Sequence, residues 1–174
     1  MAQIVWISGG AGLLALAFAL FSSGRIRSFE VTNERVNELS GIIQRGSMAF
    51  LSREYRALVP FVVVVGAVLW LKIGHPMAVS FLLGAFCSGL AGLVGMRVAT
   101  KANGKTAFAA GQGMNPALRI AFTGGTVMGM SVVGIGIIGI IICYGFFKDP
   151  NIITGFGFGA SSIALFARVG GGIY

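Results

Sequence analysis

The chain has 174 residues and a net charge of +8, and 56% of its residues are hydrophobic while only 10% are charged. Soluble domains usually carry about 25% charged residues, so this composition excludes an ordinary soluble domain and is typical of a membrane protein. The positive charge does not indicate nucleic acid as a partner, because the basic residues are not interleaved with aromatic side chains that would stack on bases.

The first apolar run covers residues 4–21, and the basic residues nearest to it, Arg25 and Arg27, follow it rather than precede it. A removable export signal carries basic residues ahead of its apolar stretch. We therefore interpret the run as a retained transmembrane helix with its N-terminus outside the cell.

Residues 24–56 form the most highly charged segment of the chain. Glu30, Glu34 and Glu38 recur every four residues, and apolar residues such as Leu39 fall on neighbouring faces. This spacing predicts an amphipathic cytoplasmic helix that leads into the second span.

Four further apolar runs follow, and a helix that crosses a bilayer needs about 20 residues. The third and fifth runs of the chain fit this length directly, whereas the second is short and the fourth is long enough to tilt or extend into water. None shows the alternation of a membrane-spanning strand. Basic residues collect in segments 24–56 and 97–119, which predicts that both segments are cytoplasmic. The chain is therefore predicted to be one domain, an all-α polytopic transmembrane bundle, with its later spans at 57–73, 77–96, 120–147 and 152–174.

Small residues dominate the later spans, and in lipid such faces allow helices to approach closely. Cys87 and Cys143 lie in apolar runs without metal-ligand spacing and are interpreted as packing residues. The glycines of the third span expected to permit close approach are Gly84, Gly89, Gly92 and Gly95.

Two motifs invite a catalytic or metal-binding interpretation and do not support it. The stretch "GFGFGAS" at 155–161 has glycines spaced as in a phosphate loop, but it lies inside an apolar helix rather than between a strand and a helix. His75 has no second ligand nearby. No catalytic or metal-ligating residue is therefore predicted within the chain.

Arg168 is the one full charge in the last apolar run. A cation near the bilayer centre costs about 2.5–3.5 kcal/mol on insertion scales. Either Arg168 reaches the interface along its own side chain, or it pairs with a carboxylate. The five acidic residues are predicted to lie in the cytoplasmic segments or the outer loop, so such a partner would come from outside the chain. The small, weakly polar stripe on the same face is predicted to comprise Gly157, Ser161, Ala164 and Gly171.

Several stretches resemble one family, the membrane-integral inorganic pyrophosphatases that pump protons or sodium ions. The run "GFGFGASSIALFARVGGGIY" resembles their fifth transmembrane helix, and "ALRIAFTGGTVMGMSVVGIGIIGI" resembles their fourth. The stretch "GLAGLVGMRVATKANGKTA" resembles their third helix and the loop after it, and "GSMAFLSREY" resembles the start of their second. The resemblance covers nearly the whole chain.

Members of that family have about sixteen transmembrane helices, so the resemblance implies an N-terminal fragment with five of them, inactive by itself. It implies that the full-length protein is an enzyme that couples hydrolysis of magnesium pyrophosphate to transport of protons or sodium ions. The Mg²⁺ and pyrophosphate ligands would follow Tyr174, and Arg168 would belong to the ion gate. A homodimer in a bacterial inner membrane is expected.

Two other classes of membrane protein share features of this chain. The proteolipid of a rotary ATPase is also glycine-rich, but it needs a carboxylate in mid-membrane, which no apolar run here contains. The alternative that stays open is a small non-enzymatic integral membrane subunit, complete as given.

Overall fold

The computed structural model describes the backbone of residues 2–173 and the side-chain surroundings of residue 3 and residues 5–170. Within the described backbone the chain forms five α-helices and no strand. The all-α fold is therefore confirmed, and each helix is long and apolar enough to cross a membrane. The helices are α1 (Ala2–Arg27), α2 (Glu34–Lys72), α3 (His75–Ala110), α4 (Met114–Phe147) and α5 (Pro150–Ile173).

Three of the helices are longer than a bilayer is thick. α2, α3 and α4 contain 39, 36 and 34 residues, and at about 1.5 Å per residue they measure roughly 50–60 Å against a hydrocarbon core of about 30 Å. The amphipathic stretch before the second span is continuous with that span. Residues 97–110, predicted to belong to a cytoplasmic segment, extend α3, because they are mostly good helix formers and the turn comes only at 111–113.

The long helical extensions lie at one end of the bundle, which we call the basic end. There α1, α3 and α5 finish, and α2 and α4 begin. Gly113, in the turn between α3 and α4 at this end, adopts a positive φ angle of 141° that other residues rarely tolerate. Gly74, in the turn between α2 and α3 at the opposite end, has a φ angle of 133°. The basic end carries Arg25, Arg27, Arg35, Arg45, Arg97, Lys101, Lys105 and Arg119.

α3 is the centre of the bundle. It packs against α2, α4 and α5, whereas α1 packs mainly on α4. At the α3–α5 crossing, Gly84 faces the backbone of Phe156, and Gly159 faces the backbone of Phe81. A Cβ atom at Gly84 would lie 2.8 Å from the Phe156 carbonyl carbon, so the two backbones approach closely only because no side chain is present. The other glycines of the third span, Gly89, Gly92 and Gly95, instead accommodate the side chains of Tyr55 and Met128.

The side chains of Ser80 and Tyr55 form hydrogen bonds that join the helices across this core. The buried Ser80 hydroxyl donates to the Ile152 carbonyl at 2.7 Å and lies 3.0 Å from Cys143 Sγ, which links α3 to α5 and α4. The Tyr55 hydroxyl donates to the Gly89 carbonyl at 2.6 Å and links α2 to α3. Both cysteines are free, and Cys143 is buried, in keeping with a packing role.

Candidate functional site

Arg168 lies on the side of α5 that faces away from α3. It follows Gly159 by nine residues, which at about 100° per residue places it half a turn from the α3–α5 contact. Its side chain is exposed. Within the described residues, the ion pair that forms is Arg35–Glu38, and Arg168 has no acidic partner.

An open groove of about 520 Å³ runs along this side of α5. Two residues of the predicted stripe, Ser161 and Ala164, line it together with Arg168. Gly157 is exposed on the same helix, and no atom of another helix lies within 4 Å of the place where its Cβ would be. Gly171 falls outside the residues whose surroundings are described. The groove is lined by Phe158, Ser161, Ser162, Ala164, Leu165 and Arg168.

The guanidinium of Arg168 is the only full charge in the lining of this groove. The hydroxyls of Ser161 and Ser162 donate to the Phe158 carbonyl at 3.2 and 2.7 Å, so they bond within the helix and leave only their lone pairs to the groove. A guanidinium presents a planar set of donors that matches a carboxylate. The groove is therefore suited to receive an acidic side chain from another helix, and its positive charge repels cations.

The apolar residues of α5 pack against α2 and α3. Ile163 is buried, Phe166 contacts the ring of Phe61 at 4.9 Å, and Phe158 contacts the ring of Phe81 at 5.3 Å. Val169 is exposed and lines a second cavity, which lies between α2 and α5. The packing of α5 thus leaves the Arg168 side uncovered.

Glu54 of α2 lies beside α5, at the level of Gly170. A Cβ at Gly170 would be 3.0 Å from Glu54 Oε1. Both carboxylate oxygens are shielded from solvent, and neither has a hydrogen-bond partner among the described residues. Glu54 lines a cavity of about 670 Å³ between α2 and α5, together with Arg53 and Phe166.

Glu54 and Arg168 lie at a similar level along α5 but do not form an ion pair. Glu54 was not expected to be a partner of Arg168, because it was predicted to lie in the cytoplasmic segment 24–56. Gly170 is only two residues, or about 3 Å of helix rise, from Arg168, so depth does not separate the two groups. They are separated because two residues turn a helix by about 200°, which puts Glu54 and Arg168 on opposite sides of α5.

The sequence did contain a signal for the position of Glu54. Phe50, Ala57, Leu58 and Phe61 are spaced at −4, +3, +4 and +7 from it, so Glu54 lies on an apolar face of its helix. A carboxylate in such a stripe is expected to face a packed surface rather than water.

The described residues contain no group of three or more His, Cys, Asp or Glu side chains that could hold a metal ion. His75, the remaining candidate, contacts the ring of Trp70 at 5.7 Å between ring centres. These side chains therefore do not fit a magnesium site.

The chain is similar to known proteins over nearly its whole length. Residues 13–174 match the family described as inorganic H+ pyrophosphatase. A candidate K(+)-stimulated pyrophosphate-energized sodium pump of Clostridium tetani is 53% identical, over 94% of this chain and 24% of that protein. A K(+)-insensitive pyrophosphate-energized proton pump of Methanosarcina mazei is 39% identical, over 100% of this chain and 26% of the relative. A K(+)-stimulated pyrophosphate-energized sodium pump of Thermotoga maritima is 36% identical, over 93% of this chain and 26% of the relative. The chain thus spans about a quarter of the length of these relatives.

Proposed function

The chain belongs to the inorganic H+ pyrophosphatase family, and from that membership we propose that it is the N-terminal part of a pyrophosphate-energised ion pump. The complete pump hydrolyses magnesium pyrophosphate and moves protons or sodium ions across a membrane. Relatives named as proton pumps and as sodium pumps both match the chain, so the transported ion is left as either of the two.

The observation that carries the proposal for a residue of this chain is the position of Arg168. Its guanidinium lies on a membrane-crossing helix, in an open groove, without an acidic partner among the described residues. An unpaired cation at membrane depth is unfavourable and is usually found where it faces a bundle interior or a water-filled path. We assign Arg168 to the ion gate on that ground.

In this role Arg168 supplies a fixed positive charge to the transport path. It pairs with a carboxylate on another inner helix of the pump, and its field opposes the return of cations through the gate. Gly157, Ser161, Ala164 and Gly171 have no long side chain, so the stripe beside Arg168 leaves room for that helix or for water.

The magnesium ions and the pyrophosphate are assigned to residues that follow Tyr174. The described part of the chain offers no acidic cluster that fits a metal, and its cavities near α5 contain a single carboxylate, Glu54. The chain's own contribution is therefore transport, and it is expected to be inactive as a hydrolase by itself.

Charge distribution supports an orientation for the bundle. Because cytoplasmic segments collect Lys and Arg, the basic end is proposed to face the cytoplasm and the N-terminus the outside. We place the pump in a bacterial inner membrane, as a homodimer with lipid around its outer helices.

The gate assignment is tested by replacing Arg168 in the full-length protein reconstituted into vesicles. Arg168→Ala is expected to lower the number of ions moved per pyrophosphate hydrolysed, because the gate charge is lost, whereas Arg168→Lys keeps the charge and retains more coupling. Arg35→Ala is the matched control, since Arg35 lies exposed at the basic end and pairs only with Glu38. Unchanged stoichiometry in Arg168→Ala would refute the assignment.

A further inference from the structure

A small cleft between α1 and α3 at the basic end brings four cationic side chains together. Its lining contains no acidic residue. The volume of the cleft is about 90 Å³, roughly that of three water molecules. The residues that line it are Ser23, Ile26, Arg27, Arg97, Val98, Lys101 and Lys105.

Lys105, one of the four cations, already has hydrogen-bond partners and holds the two helices that form the cleft together. Its Nζ donates to three carbonyls at the end of α1, those of Ile26 at 2.6 Å, Arg27 at 3.0 Å and Phe29 at 2.6 Å. An ammonium group has three donors, so Lys105 is saturated. It neutralises the negative end of the α1 dipole and holds α1 against α3.

The other three cations, Arg27, Arg97 and Lys101, have no such partner. None forms an ion pair or a side-chain hydrogen bond with the described residues. Glu30, the acid nearest to Arg27 in the sequence, does not line the cleft. Three like charges around one small cleft repel one another, and an anion bound between them would remove that repulsion.

We propose that this cleft binds a phosphate group. Two of its three free cations are arginines, whose planar donors match phosphate oxygens, and the third is a lysine that acts as a point charge. The small volume suits one phosphate group and excludes a nucleotide or a peptide.

The position of the cleft favours a phospholipid headgroup as the source of the phosphate. The cleft lies where the apolar part of α3 passes into its basic extension, and Ile26 and Val98 give it an apolar wall. Basic pockets between transmembrane helices bind anionic lipid headgroups in this way, with the acyl chains along the apolar helix surface. A free phosphate ion is the other source of the same chemistry.

The test uses full-length protein in detergent, freed of lipid and then offered phosphatidylglycerol or phosphatidylcholine, with native mass spectrometry to count the bound lipid. The wild type should retain phosphatidylglycerol about tenfold more than phosphatidylcholine, at low salt. The variant Arg97→Gln/Lys101→Gln should lose that preference. Both residues are exposed on α3, so the variant is expected to fold. Arg27→Gln removes the cation that α1 contributes to the cleft and provides a second, independent variant.

The matched control is Arg45→Gln/Arg56→Gln, which also removes two exposed cations but lies on α2, away from the cleft. Retained preference in this control and loss in the cleft variants would support a lipid headgroup. A rise in melting temperature with inorganic phosphate that both cleft variants abolish, without any lipid preference, would support a free phosphate ion. The proposal is overturned if the cleft variants bind phosphatidylglycerol like the wild type and phosphate stabilises none of the proteins through these residues. None of these measurements depends on pyrophosphate hydrolysis, so they fail or succeed independently of the pump assignment.

Discussion

Replacing Gly84 by alanine places a methyl group directly against the backbone of α5. Its Cβ would lie 2.8 Å from the carbonyl carbon of Phe156 and 3.0 Å from its Cα. Because the opposing atoms are backbone, α5 must move as a unit, and overpacking of this kind costs about 1–3 kcal/mol. Alanine stabilises a helix interior by about 1 kcal/mol relative to glycine, which offsets part of this cost. The free energy of unfolding is therefore expected to fall by up to about 2 kcal/mol.

Gly89→Ala is the matched control on the same helix. The nearest atom to its added Cβ is the Tyr55 ring at 4.0 Å, an ordinary contact, so this variant should be as stable as the wild type or more stable. The assay is the apparent melting temperature of the full-length protein in detergent, at one scan rate because heating of membrane proteins is often irreversible. Equal melting temperatures for Gly84→Ala and Gly89→Ala would refute the close backbone contact.

The reciprocal site gives a second check on the same crossing. Gly159 faces the backbone of Phe81 as Gly84 faces that of Phe156, so Gly159→Ala should destabilise by a similar amount. Once either methyl group has separated the helices, the second costs less. The double variant should therefore lose less than the sum of the two single losses.

Two further predictions concern the hydrogen bonds between helices. Tyr55→Phe removes the donor to the Gly89 carbonyl and should lower the free energy of unfolding by about 0.5–1.5 kcal/mol. Tyr144→Phe, which loses no hydrogen bond within the described residues, should lower it less. Equal effects of the two substitutions would argue against the Tyr55 hydrogen bond. Ser80→Ala removes the hydrogen bond from α3 to the Ile152 carbonyl and should lower the melting temperature more than Ser47→Ala does. The Ser47 hydroxyl bonds only to Ile43 of its own helix. The reverse order of melting temperatures would contradict the role of Ser80.

The number of helices, and that each is apolar enough to cross a membrane, could be predicted because hydropathy is a property of neighbouring residues along the chain. Every apolar run of sufficient length became a helix, and the acidic spacing correctly indicated helix before the second span from Glu34 on. Glu30 was wrongly included, because α2 begins at Glu34 with Asn33 as its N-cap. The extension of α3 to Ala110 was not predicted, because the end of an apolar run marks the end of a span and not of a helix, and charged and small residues continue a helix readily.

The contacts between helices could be predicted only in part. Glycine content indicated close packing, but which glycine meets a backbone depends on how the helices cross: Gly84 does, while Gly92 faces the Tyr55 hydroxyl. The position of Glu54 beside Gly170 depends on a contact between residues far apart in sequence, so the neighbour of Glu54 on α5 could not be predicted from local patterns. The uncovered face of Arg168 followed from helical periodicity, and its partner stays a prediction.

The central claim, that this chain forms part of a pyrophosphate-energised ion pump, is tested most directly by ion uptake. The full-length protein is reconstituted into sealed vesicles, magnesium pyrophosphate is added to the side that the basic end faces, and proton and sodium gradients are recorded together with phosphate release. The account predicts that phosphate release is accompanied by a gradient of one of the two ions. Pyrophosphate left intact, or hydrolysed without a gradient of either ion, would contradict it.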